Sequence, residues 1–386
     1  MQKTNVLSDM RAHFGEITLG ELKQSLDTGG HRSVLLVTGR GFLESCGLME
    51  LIAPSLRGRQ VLRVSNFETN PKKQDLERLL CEIAEFPFSA IIGIGGGSAV
   101  DMAKLVKCFH GQPERITEVL EYGSELMPSD TELFAIPTTA GSGSEATHFA
   151  VIYDEGVKYS VAHKALLPAK SWVLPSVLAT VPLDVAAAAA MDAFCQGVES
   201  YWCINATTES KKIARRAIKL AWENMVSAVV KKEPEALAEM GKASHLAGMA
   251  INLTKTTAPH AISYALTTHL GLLHGHAVGL VLPSIFCYNE GVTFDDVLDA
   301  RGVGYVQETL FEIVEIIGAE DVSSASFAIT QKMQEMKLST RLSEVGAVGQ
   351  AEHELIIRDG FNPDRVNNNP RRLTEQALRN LLQAVD

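Results

Sequence analysis

The segment AIIGIGGGSAVDMAK, residues 90–104, combines a buried strand, a glycine-rich loop and the beginning of a helix. Its apolar run Ala90–Ile94 is typical of a strand in a parallel sheet. Gly95, Gly96 and Gly97 let the backbone approach an anion closely, and the helix that follows offers free N–H groups. The spacing differs from the GxGxxG fingerprint, and a tight turn without a ligand is the alternative. We interpret the segment as a pyrophosphate-binding loop.

Strands and helices alternate on both sides of this segment. Further strands are predicted at Ser33–Thr38, Val61–Val64 and Leu133–Ile136, and an amphipathic helix at residues 73–84. Strands separated by helices form βαβ units, which build a parallel sheet. The first part of the chain is therefore expected to be an α/β dinucleotide-binding domain, which we assign to residues 1–180.

The rest of the chain shows long helical periodicities instead of strands. Helices are predicted at Val185–Trp202, Ser210–Val230 and Glu233–Leu253, followed by a broken pair over residues 260–288. We therefore predict an all-helical domain over residues 181–386.

Composition and charge exclude several classes of partner. The chain has 386 residues, 46% of them hydrophobic and 21% charged, as in globular proteins of two domains. A net charge of -11 argues against nucleic acid or anionic membranes as partners. No apolar run is long enough to span a bilayer, and residues 1–15 lack the apolar core of a secretion signal. We therefore expect a cytoplasmic protein with reduced cysteines.

A second polar loop follows the predicted strand Leu133–Ile136. In PTTAGSGSE, residues 137–145, the hydroxyls of Thr138, Thr139 and Ser142 could hold ribose or phosphate oxygens and a nicotinamide carboxamide. Alone, this loop could be a simple turn. Two such loops after successive strands lie at the carboxyl edge of a parallel sheet, where dinucleotides bind.

Four side chains of the helical half suggest a metal site. Asp192 and Gln196 share one helix face at a spacing of four residues, and His260 and His274 follow later in the chain. Gly271 and Gly275 indicate a break that lets His274 turn back towards His260. A carboxylate, an amide oxygen and two imidazoles form a mixed N/O site for a divalent metal. The alternative is that these histidines are structural.

A possible anion site precedes His260. Thr256 or Thr257 is a good N-cap and Pro259 suits the first helical turn, so a helix is predicted to begin there. A helix N-terminus attracts anions, and Lys255 adds a positive charge beside it. The alternative is that Lys255 is an ordinary surface lysine.

The motifs GGGSAVDMAK, PTTAGSGSE, the Asp192 helix, PHAISY and HGHAVGLVLP resemble, in order and spacing, those of the iron-type alcohol dehydrogenases. The resemblance runs from about residue 15 to the C-terminal NPRRLTEQALRNLL. It implies a fold shared with dehydroquinate synthase, with an active site in the cleft between an α/β domain and a helical domain. It also implies NAD(P)H, a divalent metal (Fe²⁺ or Zn²⁺), and a homo-oligomer, a dimer or larger.

The resemblance assigns roles to the candidate residues. It implies metal binding by Asp192, Gln196, His260 and His274. The candidate cofactor-binding residues are Gly39, Arg40, Gly95, Gly96, Gly97, Ser98, Asp101, Thr138, Thr139 and Ser142. The candidate catalytic residues are His260, His274 and Tyr264, together with Lys255 from the possible anion site described above. The proton donor stays open among Tyr264, His269, His276 and the cofactor ribose.

The chain departs from the family pattern at several positions. Gln196 replaces a metal-binding histidine, Tyr264 replaces a further histidine, and Leu174-Pro175 replaces Asp-Pro. Gly39, followed by Arg40, stands where the family often has an aspartate that reads the ribose, so NADPH should be accepted. These departures resemble the branch of the family that reduces phosphonoacetaldehyde to 2-hydroxyethylphosphonate.

The predicted function is therefore metal-dependent hydride transfer between NAD(P)H and a small aldehyde, most specifically phosphonoacetaldehyde. One alternative is a general short-chain aldehyde or lactaldehyde reductase. From other classes, a dehydroquinate synthase-like lyase and a metal-free binding protein, the latter suggested by Gln196, are also considered.

Overall fold

The structure, a computed structural model, describes residues 11–346, 349–361 and 366–385. Residues 1–10, which contain most of the stretch considered above for a secretion signal, lie outside the described residues. The chain divides into two compact units: the first ends at Val181, and the second begins at Pro182 and also takes in Ala140–Ser142.

A parallel sheet forms the centre of the first unit. Its strands, in the spatial order β1-β8-β5-β4-β2-β3, are β1 (Ala12–Phe14), β2 (Ser33–Thr38), β3 (Gln60–Val64), β4 (Ala90–Gly95), β5 (Glu132–Pro137) and β8 (Lys170–Val173). The four predicted strands are present, one as predicted and three extended by one or two residues. They were recognisable because a sheet covered on both faces needs apolar residues at every position.

Helices cover both faces of this sheet. They are α1 (Leu19–Thr28), α2 (Phe42–Ser45), α3 (Leu48–Leu56), α4 (Lys73–Glu82), α5 (Gly97–Phe109), α6 (Arg115–Tyr122) and α7 (Pro175–Ala179). Leu35 and Ile91 pack in one apolar cluster with residues of α4 and α5. Leu36 and Ile92 point to the other face and pack with residues of α1 and α3. This is the doubly covered α/β arrangement that the sequence predicted.

An antiparallel hairpin in the first unit was not predicted. It consists of β6 (Phe149–Asp154) and β7 (Val157–Ala162). Glu155 and Gly156 form its turn with φ of 47° and 83°, as two-residue hairpin turns require. The readable signal for this hairpin was the apolar/polar alternation of β7, VKYSVA, directly after the Glu155-Gly156 turn.

The second unit is built of helices. They are α8 (Leu183–Trp202), α9 (Thr208–Val226), α10 (Pro234–Thr254), α11 (Ala258–Leu270), α12 (His274–Glu290), α13 (Val303–Ile317), α14 (Val322–Glu335), α15 (Gln350–Gly360) and α16 (Glu375–Val385). The broken pair predicted over residues 260–288 corresponds to α11 and α12. Gly271, with φ of 67°, ends α11 in the left-handed conformation and lets the chain reverse. Gly275 was wrongly assigned to the break, because it lies inside α12. In the part of the chain that the structure describes, no helix has the length and apolarity to cross a membrane.

Candidate active site

Three loops meet at the carboxyl edge of the sheet in the first unit. The Gly39 amide, after β2, donates to the Ile94 carbonyl at 3.2 Å. The Thr138 amide, after β5, donates to the Gly95 carbonyl at 2.9 Å. A side chain at Gly96 would contact Thr139 Oγ1 at 3.5 Å. The structure therefore brings Gly39, the glycine-rich loop and the two threonines together.

The glycine-rich loop leaves room for an anion. Gly95 has φ of 149° and a Cβ there would lie 2.6 Å from Ala99 Cβ, so only glycine fits. Gly96 is the N-cap of α5 and supplies no side-chain cap, so the first N–H groups of the helix are left for another acceptor. Ser98 Oγ accepts the Asn70 amide at 3.0 Å. This loop fits a dinucleotide pyrophosphate.

Two predicted cofactor residues have other surroundings. The Asp101 carboxylate accepts bonds from Ser144 Oγ at 2.5 Å and the Val151 amide at 3.0 Å. The Asp101 carboxylate therefore holds the chain that follows β5, and its assignment to cofactor binding stays a prediction. Ser142 groups with the second unit, where the neighbouring Gly141 lies so close to Ala189 of α8 that a Cβ would be 2.8 Å from its Cα.

Arg40 is exposed beside Gly39. Its guanidinium donates to the neutral amide oxygen of Asn66 at 3.2 Å. The end of β2 thus presents a cation and a glycine where the family often has a carboxylate.

Asp192, His260 and His274 come together in the second unit. Each offers one ligand atom, and these atoms lie within 4.8 Å of one another. A Cβ at Gly275 would overlap the Ala188 carbonyl and lie 2.7 Å from Asp192 Cβ, so α12 packs directly against α8. This close approach brings His274, the first residue of α12, to Asp192.

Gln196 lies beside this cluster. Its Nε2 donates to Asp192 Oδ1 at 3.0 Å. Its Oε1 is buried without a hydrogen-bond partner among the described residues, which is rare for a buried oxygen. A cation next to Oε1 would satisfy it. Two imidazoles, a carboxylate and an amide oxygen form a donor set that fits Fe²⁺ or Zn²⁺.

Glu199 is a functional residue that the sequence reasoning missed. It lies on α8, seven residues after Asp192 and on the same helix face. Its fully buried carboxylate accepts hydrogen bonds from His260 Nδ1 and, at 2.6 Å, from the Thr257 amide. A carboxylate on the far nitrogen of a histidine ligand fixes the ring so that Nε2 faces the metal. Its spacing from Asp192 was the only signal in the sequence.

Glu199 also changes the interpretation of the N-terminus of α11. The helix begins next to Thr257, as predicted, but the Thr257 side chain makes no cap bond and donates to Glu199 at 2.9 Å. The His260 amide also points to this carboxylate, at 3.4 Å. The predicted use of this helix N-terminus for a substrate anion is therefore corrected, because the protein's own Glu199 takes that position.

The acidic surroundings of His260 control its protonation. Burial would lower the pKa of His260, but Glu199 and Asp192 outweigh it and raise the pKa to about 10. Burial would raise the pKa of Asp192, whereas the hydrogen bond to His260 and the charge of His274 lower it overall. Without a metal, His260 therefore carries a proton between two carboxylates. A metal has to displace that proton.

The remaining candidates differ in their closeness to the site. The Tyr264 ring stacks on His274 at 5.6 Å between centroids. Lys255 is exposed and has φ of 96°. His269 pairs with Asp359 at 2.7 Å, and His276 donates to the Ser339 carbonyl at 2.8 Å. Of the proposed proton donors on the protein, Tyr264 is therefore the one placed against a predicted ligand.

Comparison with known proteins covers both units. The family described as "Iron-containing alcohol dehydrogenase" matches residues 10–175, and "Fe-containing alcohol dehydrogenase family, C-terminal" matches residues 186–385. A phosphonoacetaldehyde reductase of Streptomyces viridochromogenes is 33% identical over 75% of this chain and 74% of its own. An NAD-dependent methanol dehydrogenase of Bacillus methanolicus is 27% identical over 98% of this chain and 99% of its own.

A solved structure shares the fold along nearly the whole chain. The sulfoacetaldehyde reductase of Bifidobacterium kashiwanohense, solved in complex with NAD⁺, matches with a TM-score of 0.87 and 25% identity. The match covers 97% of this chain and 96% of the other.

Proposed function

Because the chain belongs to the iron-containing alcohol dehydrogenase family, we propose that it transfers hydride between a nicotinamide dinucleotide and a small aldehyde, with a divalent metal bound by Asp192, Gln196, His260 and His274. The observation that carries this proposal is the cluster of three ligand atoms within 4.8 Å of one another, beside a Gln196 oxygen for which the described residues offer no hydrogen-bond partner.

The chemistry divides between bound groups and side chains. A bound metal supplies Lewis acidity to the substrate oxygen, and a bound nicotinamide supplies or accepts the hydride. The protein orients the His260 ring through Glu199. The Tyr264 phenol, stacked on His274, is our candidate to deliver a proton to the substrate oxygen. No protein nucleophile is needed.

For the cofactor, we propose that Gly95–Ser98 hold the pyrophosphate and that Thr138 and Thr139 contact the adjoining groups. NAD(H) suits the family. Gly39 removes the carboxylate that would repel a 2′-phosphate, and Arg40 offers that phosphate a cation. We therefore propose that NADPH is also accepted.

For the substrate, we propose an acetaldehyde that carries a tetrahedral anionic group, with phosphonoacetaldehyde as the specific candidate. Two similar proteins are named for such aldehydes, one with a phosphonate and one with a sulfonate. The proposed contact for the anion is the Lys255 side chain alone, since Glu199 occupies the N-terminus of α11. We also propose that the protein is cytoplasmic and that it forms a homo-oligomer.

A panel of aldehydes assayed with NADH and with NADPH, with metal analysis of the same sample, tests this function. We expect metal-dependent turnover with phosphonoacetaldehyde well above that with propanal or lactaldehyde. Equal turnover of propanal would favour a general aldehyde reductase. Elimination of phosphate from a dehydroquinate synthase substrate would indicate a lyase, and cofactor binding without metal or turnover would indicate a binding protein.

A further inference from the structure

A fully buried lysine follows the glycine-rich loop on α5. We propose that Lys104 is a positioning residue that fixes the loop after β5 against α5 and thereby sets the affinity for the dinucleotide. This inference rests on the proposed function, because it assumes that the loops at the carboxyl edge of the sheet hold a nicotinamide dinucleotide.

The Lys104 ammonium is fully committed to one segment of the chain. It donates to the Ser144 carbonyl at 2.7 Å, to Thr147 Oγ1 at 2.9 Å and to the Phe149 carbonyl at 2.8 Å. The Lys104 side chain is 0% exposed. All three acceptors lie between the end of β5 and the beginning of β6. Lys104 therefore holds the segment between β5 and β6 against α5.

Asp101, one turn earlier on α5, contacts both Lys104 and the same segment. Its carboxylate lies 4.0 Å from Lys104 Nζ and accepts the Ser144 hydroxyl at 2.5 Å. Burial lowers the pKa of Lys104 to about 8, although Asp101 and Glu145 oppose that shift. Burying a lysine is costly, and the hydrogen bonds that Lys104 donates to the segment between β5 and β6 offset that cost. The contribution of Lys104 is therefore the position of that segment.

The segment between β5 and β6 forms the proposed nicotinamide side of the cofactor site. Its first residue, Thr138, is hydrogen-bonded to Gly95 through the backbone, and a Cβ at Gly96 would lie 3.5 Å from Thr139 Oγ1. Lys104 fixes the other end at Ser144. Both ends of residues 138–144 are thus attached to the strand and helix that flank the glycine-rich loop. If the far end is released, the threonines lose their fixed position.

The test is NADH binding to the metal-free protein, measured by fluorescence titration and supported by thermal unfolding. We expect Lys104→Met to raise the NADH dissociation constant by roughly tenfold or more, because several charged hydrogen bonds are lost. In steady-state assays the KM for the cofactor should rise and the KM for the aldehyde should stay nearly constant. Lys107→Met is the matched control, since Lys107 is a buried lysine on the same helix, and it should change NADH binding by less than about twofold.

Folded Lys104→Met with unchanged NADH affinity would overturn the inference. If that variant does not fold, Thr147→Val removes one hydroxyl acceptor of Lys104, and Ser144→Ala removes the hydroxyl that lies 3.2 Å from Lys104 Nζ and donates to Asp101. Unchanged affinity in both variants would also overturn the inference. A wild-type protein that binds no nicotinamide dinucleotide would instead overturn the proposed function.

Discussion

The backbone conformation of Lys255 suggests a function for its side chain. Its φ of 96° and ψ of 166° lie in a region that glycine occupies almost exclusively, at a cost of about 1–3 kcal/mol for other residues. Glycine would serve the fold better at this position. We infer that the lysine side chain is kept for its charge.

We expect Lys255→Ala to raise the KM for phosphonoacetaldehyde by about 10- to 150-fold, the value of a charged hydrogen bond, with little change for propanal. Lys255→Gly should weaken the same substrate equally and raise Tm by about 2 °C or more, because it relieves the strain. Steady-state kinetics and thermal unfolding of both variants check this. Equal weakening of both aldehydes would remove Lys255 from substrate binding.

Glu199 provides a second prediction at this scale. Glu199→Gln keeps the shape of the side chain but removes the charge that orients His260, so metal affinity should fall by about 10- to 100-fold. Competition with a fluorescent chelator would measure it. Thr257→Val, which removes only one bond to Glu199, should have a smaller effect. Wild-type affinity in Glu199→Gln would show that the carboxylate does not support the metal.

At the scale of elements, the metal site depends on the contact between α8 and α12. Gly275→Ala would place a methyl group onto the Ala188 carbonyl and force the helices apart. We predict a lower Tm and the loss of most metal binding, because His274 moves away from Asp192. Gly304→Ala, at a helical glycine with open space around it, is the control and should leave both unchanged. An unaltered metal affinity in Gly275→Ala would contradict the packing argument.

The sequence predicted secondary structure better than it predicted the partners of buried side chains. Four of the six strands of the sheet and the long helices of the second unit follow from local hydrophobic patterns, so they were predictable. The short strands β1 and β8 were not predicted. The roles of Glu199 and Asp101 depend on partners 58 and 43 residues away, which no local pattern reveals. The start of α11 could likewise be predicted from Thr257 and Pro259. The Glu199 carboxylate at that helix N-terminus could not, because it comes from a distant part of the chain.

For the whole molecule, metal binding should depend on pH. The metal-free fold holds a proton on His260 with a pKa of about 10, above the ordinary value of 6.5. This proton stabilises the metal-free protein at neutral pH, and that contribution is lost as the pH rises towards 10. Metal affinity should change in the opposite direction, rising up to about tenfold per pH unit between pH 7 and 9. Chelator competition across this range checks the slope, and a flat profile would contradict it.

Hydride transfer is expected to require a metal held by Asp192, Gln196, His260 and His274. The most direct measurement removes the metal with a chelator and titrates Fe²⁺ or Zn²⁺ back, following bound metal and NAD(P)H oxidation together. Turnover should rise in proportion to bound metal, to about one ion per chain. The folded His260→Ala variant should show neither metal binding nor turnover. Full turnover by metal-free wild-type protein would contradict it.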